Sequence, residues 1–120
     1  MNIRINSQGF TLTTAIADNV YEKLAWAFRR FAEEIVAVDV YLKDVNGPRG
    51  GADKQASVRV QLRNRNTVFV DSVRDNLYAA IGDASRRTKR AVKRSIKKEI
   101  VAARGQEWRY RNGFEPVANR

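Results

Sequence analysis

Three runs in the middle of the chain alternate apolar with polar side chains, and this alternation constrains the fold more than any other feature. VAVDVYLKDV sets Val38, Val40 and Leu42 against Asp39, Tyr41 and Lys43. ASVRVQLR sets Val58, Val60 and Leu62 against Ser57, Arg59, Gln61 and Arg63, and TVFVDSV sets Val68 and Val70 against Phe69 and Asp71. Successive side chains of a strand point to opposite faces, so each run predicts one dry and one wet sheet face, as in antiparallel sheets. NIRIN adds a short strand, with Ile3 and Ile5 opposite Arg4 and Asn6, broken at Gly9. Arg63-Asn64-Arg65-Asn66 reads as a tight connection and NGPRGGADK as a loop. A dry sheet face must be covered, and two segments of helical period supply the cover.

The first is capped at Thr13 or Thr14, whose hydroxyl can accept from a free backbone N–H. Ile16, Val20, Leu24, Ala27, Phe31 and Ile35 recur at spacings of three and four, predicting a helix from about Ala15 to Glu34. The second begins near Asp75, with Ser72 and Asp75 spaced like a capping box and Asp75 as an alternative cap. Gly82 predicts a local weakness in it and Gly105 a stop. The order strand, helix, three strands, helix gives an α+β two-layer sandwich, a four-stranded sheet with two helices on one face. At 120 residues one domain is expected. Residues 1–104 form it, and residues 105–120 are a basic and aromatic C-terminal tail.

The second helix carries the charge. On a helical wheel Leu77, Ala80, Ile81, Ala84, Thr88, Ala91 and Val92 share one arc. Arg86, Lys89, Arg90, Lys93, Arg94 and Lys97 lie opposite, with Arg87 and Lys98 at the flanks. No acid occurs between Asp83 and Glu99, so the usual i,i+4 pairs of a solvated helix are absent and the like charges repel. Some 30 helical residues span about 45 Å and a six-residue strand only about 20 Å, so the C-terminal half of this helix overhangs its sheet. The formal net charge is +10 and the pI about 10.5. Such a field attracts polyanions, nucleic acid first and acidic membrane second. Lys and Arg on a helix meet phosphates without reading bases, so the signal specifies a polyanion and no sequence.

Other candidates are smaller. Trp26 falls off the apolar stripe of the first helix, among Asn19, Lys23, Arg30 and Glu33. It either stacks on a base or lies over the stems of Lys23 and Arg30. The wet sheet face carries Arg4, Tyr41, Lys43, Arg59, Arg63 and Phe69, a mix that suits a stacking platform, a protein partner or plain solvent. In the tail, Trp108, Tyr110 and Phe114 either pack back over Ile96, Ile100 and Val101 or order on RNA or a second copy. GPRGG lacks the following Lys-Ser or Lys-Thr of a phosphate loop and reads as a turn.

The chain has no Cys and no His. That removes disulfides, imidazole bases and every triad built on them, and the acids are spread singly. No apolar run approaches the roughly 20 residues of a membrane span, and MNIRINSQGF lacks the apolar centre of a signal peptide. The expectation is a cytoplasmic, non-enzymatic protein with no metal, cofactor, small-molecule substrate or membrane partner.

DNLYAAIGDASRRTKR resembles the Asp-Met-Tyr-Ala-Ala-Ile-Asp motif and following basic helix of the bacterial ribosome hibernation-promoting factor family. TLTTAIADNVYEKL is similar to that family's first helix, with Thr13, Ala15, Val20, Lys23 and Leu24 at matching places. The likeness covers about residues 1 to 100, and Tyr78-Ala79-Ala80-Ile81 is its most specific element. It implies a fold like the double-stranded-RNA-binding domain. It also implies binding to the 16S rRNA of the small ribosomal subunit, in the channel for mRNA and tRNA, which silences idle ribosomes under stress or in stationary phase. The family's basic positions correspond to Lys23, Arg87, Arg90, Lys93, Arg94 and Lys97. Asn76, Leu77 and Gly82 depart from the motif, and residues 105–120 are basic and aromatic where the inhibitor type has an acidic tail. Two readings compete with this one: a general module for structured RNA or DNA, and a regulator acting through a protein partner.

Overall fold

The computed structural model describes residues 2–44 and 53–111, with side chains as far as Lys97. The elements run β1 (Asn2–Gln8), α1 (Thr14–Phe28), a 3-10 turn (Ala32–Glu34), β2 (Ile35–Asp44), β3 (Lys54–Leu62), β4 (Thr67–Arg74) and α2 (Leu77–Arg111). The fold is the α+β sandwich that the strand and helix periods predict.

The strands lie in chain order in one sheet. β1 pairs with β2 in parallel, because α1 carries the chain back to the end where β1 began. The β2–β3 and β3–β4 pairs are antiparallel. Registers line up rows of β-branched residues, Ile3-Val38-Val60-Val68 and Ile5-Val40-Val58-Val70. Both rows face the helices and join one cluster with Val20, Leu24 and Phe28 of α1 and Ala80, Ile81, Ala84 and Val92 of α2. One layer of helices thus covers one sheet face, and the other face stays open.

α1 starts where the hydroxyl signal places it: Thr13 Oγ1 accepts from the Ile16 N–H at 3.2 Å. It stops at Phe28, six residues before the expected Glu34. Phe28 is fully buried and its carbonyl accepts from Phe31 N at 2.8 Å, tightening the chain into the 3-10 turn. The apolar stripe misleads because Phe31 and Ile35 are apolar for other reasons. Phe31 packs half-buried beside the core, and Ile35 opens β2 opposite Leu62.

The β3–β4 connection holds Arg65 at φ 73°, a costly region for a residue with a Cβ. Asn64 Oδ1 accepts from Asn66 N at 2.9 Å and Asn66 O from Leu62 N at 2.9 Å, which pins the turn. Asn66 Nδ2 in turn donates to Ser95 Oγ of α2 at 3.1 Å. Gly9, at φ 90°, closes the β1 end. A Cβ there would stand 2.7 Å from the Asp44 carbonyl oxygen, so only glycine fits.

α2 is capped by neither Ser72 nor Asp75. Asn76 Oδ1 accepts from Tyr78 N at 2.8 Å and Ala79 N at 3.3 Å. Ser72 lies inside β4 and donates to Asp83 instead. The helix runs unbroken through Gly82 and past Gly105, the expected stop, to Arg111. Its first 20 residues, to Ile96, span about 30 Å, the length of the nine-residue β3, and Ile96 is the last side chain packed on the core. The remaining helix extends about 22 Å further. The radius of gyration, 18.4 Å against about 14 Å for a compact chain of this length, reflects that projection. Trp108 and Tyr110 belong to this helical backbone. Their side chains, those of Ile100 and Val101, and GPRGG and Phe114 lie outside the described residues.

Candidate nucleic-acid interface

One flank of α2 is built to sit close to the sheet. Thr88 and Ser85 are buried among the small residues Ala80 and Ala84, and each hydroxyl donates to a carbonyl one turn back, Thr88 to Ala84 at 2.6 Å and Ser85 to Ile81 at 2.8 Å. Bonding to the helix itself lets both polar groups be buried without a partner on the sheet. Ser85 is missing from the arc that the wheel predicts, since a serine carries no apolar signal.

The opposite flank presents its cations in two groups. Arg86 and Arg87 turn back onto Asp83: Arg86 Nη2 stands 3.2 Å from Oδ1 and Arg87 Nη1 3.8 Å from Oδ2. Arg87 also donates to the Asp71 carbonyl at the sheet edge. Arg74 Nη2 reaches the same carboxylate at 3.2 Å, and Ser72 Oγ donates to it at 2.7 Å. The Ser72 bond, followed by the charges of Arg74 and Arg87, holds the Asp83 carboxyl below the usual carboxylate range. Asp83 is therefore a joint between β4 and α2, and the two arginines are its outer arms. Beyond it Lys89, Arg90, Lys93, Arg94 and Lys97 are all exposed, and none pairs with an acid among the described residues. Lys98 continues the helix, its side chain outside the described residues.

On the other helix Lys23 is exposed, and so is Arg30 just beyond its end. Trp26 is 65% exposed. The cation stacked on it is Arg29, whose guanidinium carbon lies 4.0 Å from the ring centroid and which neither sequence alternative named. Arg29 keeps helical angles as the C-cap and so stacks one turn above the indole, whereas Arg30 follows where the helix has ended.

The open sheet face is less cationic than its residue types suggest. Arg4 Nε donates to Asp39 Oδ1 at 3.0 Å, and Asp39 is only 5% exposed on this otherwise wet side. Asp71 accepts from Gln55 at 3.1 Å and from Ser57. Tyr41 and Phe69 are exposed on the same face. Of its cations only Arg4 pairs with an acid among the described residues, and Lys43, Arg59 and Arg63 stay exposed, spread over two strands and a connection rather than along one continuous flank. Among the described residues no group of three or more acids, His or Cys is placed to hold a metal, and no helix is long and apolar enough to cross a membrane.

The family model for the sigma 54 modulation protein / S30EA ribosomal protein family matches residues 3–99. The chain belongs to the ribosome hibernation-promoting factor family. Membership places it among ribosome-associated factors concerned with translation, as the motif at Tyr78 implies. Among solved structures this family member is similar to the Protein Y N-terminal domain of Thermus thermophilus, at 30% identity and a TM-score of 0.65, over 78% of this chain and 98% of that one. A ribosomal subunit interface protein from Coxiella burnetii has the same fold, with a TM-score of 0.66 at 16% identity, over 81% of this chain and 99% of that one. No curated protein matches the sequence. The family match ends at residue 99, so the last turns of α2 lie beyond it.

Proposed function

We propose that this protein is a non-enzymatic hibernation factor that binds the small ribosomal subunit, lays the basic flank of α2 against 16S rRNA in the mRNA–tRNA channel, and so silences idle ribosomes. One observation carries the reading. The cations from Lys89 to Lys97 stand exposed on a rigid rod and pair with no acid among the described residues. Unpaired like charges on a helix cost a few tenths of a kcal/mol per pair, and a phosphate backbone relieves that cost. Family membership and the likeness to Protein Y support the ribosome as the source of that RNA.

The test is co-sedimentation with small subunits after Arg90, Lys93 and Arg94 are changed to Glu. These residues touch no part of the core, so the variant should melt like the parent and lose binding. A folded triple variant that still travels with the subunit overturns the placement. In competition, the parent should prefer small subunits to bulk duplex RNA at physiological salt; equal affinity for both favours a general RNA module.

A further inference from the structure

Trp26 has no role in the packing of α1. The buried residues of that helix are Val20, Leu24, Ala27 and Phe28, and the indole projects from the outward side. The indole is 65% exposed, so most of its surface is left to solvent. Arg29 covers the ring on one side at 4.0 Å, leaving the other π-face for a ligand. Around the indole lies an open cleft of about 390 Å³ lined by Glu22, Lys23, Ala25, Trp26 and Arg29. Two of its lining residues are cations and one is an acid. This chemistry fits a flat ring that stacks on the indole and carries an adjacent anion for Lys23, one helical turn away. Planar bases stack on tryptophan regardless of sequence, and an arginine stacked on the same ring adds a positive field for the neighbouring phosphate.

We propose that Trp26 and Arg29 form a stacking site for one unpaired nucleobase of the RNA bound by α2, with Lys23 holding the flanking phosphate. The site rests on the functional reading above and adds to it. α2 contacts phosphates whatever the sequence, whereas an indole requires a base outside a duplex, so the pair would direct the protein to structured RNA with a bulged or looped nucleotide.

The chain has two tryptophans, Trp26 and Trp108. Trp108→Phe therefore makes Trp26 the sole indole reporter. Small subunits and a single-stranded RNA oligonucleotide should quench its emission, and an equally charged perfect duplex should not. Trp26→Ala should weaken small-subunit binding about 5- to 150-fold, the range for loss of one stacked base, with the salt slope unchanged; Trp26→Phe should recover part of it. Unchanged affinity of Trp26→Ala together with unquenched emission overturns the proposal. So does a protein captured from nuclease-treated lysate by the parent and lost with Trp26→Ala at unchanged RNA affinity, which would make the patch a protein contact. The two readings fail separately. Loss of binding in the α2 triple variant with none in Trp26→Ala removes only the stacking site. Quenching that survives the α2 variant removes only the α2 reading.

Discussion

If α2 binds phosphate, the salt dependence of binding follows from which of its cations are free. Lys89, Arg90, Lys93, Arg94 and Lys97 pair with no acid among the described residues, whereas Arg86 and Arg87 share the Asp83 carboxylate. Each phosphate neutralised on duplex nucleic acid contributes about 0.9 to the slope of log affinity against log salt, so five free cations give a slope of about −4.5. Between about 50 and about 200 mM salt, affinity then falls roughly 500-fold. Changing Arg90 and Arg94 to Gln leaves three free cations, a slope of about −2.7 and a fall of roughly 40-fold over the same interval. Changing Arg86 and Arg87 to Gln should move the slope far less, because a phosphate would have to displace a carboxylate to gain them. The assay is small-subunit binding across a salt series for the parent and both double variants, each checked by thermal melting. A parental slope near zero refutes phosphate-driven binding. A slope that falls for the Arg86 and Arg87 pair and not for the Arg90 and Arg94 pair refutes the division of the face.

Asp83→Asn should cost about 1–2 kcal/mol at neutral pH, since Asp83 accepts from Ser72 and faces Arg74, Arg86 and Arg87; denaturant melts measure it. The carboxyl is held low in the folded state, so its contribution is complete above the unfolded value of about 4 and is lost as pH falls through the folded one. The gap between parent and Asp83→Asn should therefore hold from about pH 5 to 8 and close below about pH 4. Gly9→Ala should destabilise by about 1–3 kcal/mol, because φ is 90° and the new Cβ meets the Asp44 carbonyl. Gly82→Ala should stabilise by about 0.5–1 kcal/mol, because the atom nearest the new Cβ is the flexible end of Arg86, one turn along the helix and 3.8 Å away; paired melts of the two variants check both signs.

The strands were legible in the sequence because their signal is the buried face itself. A period of two survives any error in where a strand ends, and Val38, Val58 and Val70 point inward whatever the bounds. Helix ends were less legible because they depend on neighbours distant in sequence. Phe31 and Ile35 continued the stripe of α1, yet Ile35 is apolar because it pairs with Leu62, twenty-seven residues on. At α2 the spacing of Ser72 and Asp75 imitates a capping box, but Ser72 is committed to β4 and the free amides of Tyr78 and Ala79 lie nearer Asn76.

The candidate site shows the same division. The absence of acids between Asp83 and Glu99 was plain from residue order, and the structure leaves the cations from Lys89 to Lys97 exposed on α2. What residue order hides is where that free charge begins. Ser72 and Arg74 approach Asp83 only once β4 and α2 have packed, and the carboxylate they orient then holds Arg86 and Arg87 three and four residues along its own helix. Cations near the sheet thus serve the joint between the layers, and cations one turn further out are left for a ligand. The acid that ends the neutral part of α2 is the same acid that locks α2 to the sheet. For that reason Asp83→Asn is expected to weaken the fold while adding to the positive charge of this flank, so under the proposed function its stability and its affinity for small subunits should move in opposite directions. A variant that lost both together would show that Asp83 sets the direction of the rod as well as its charge.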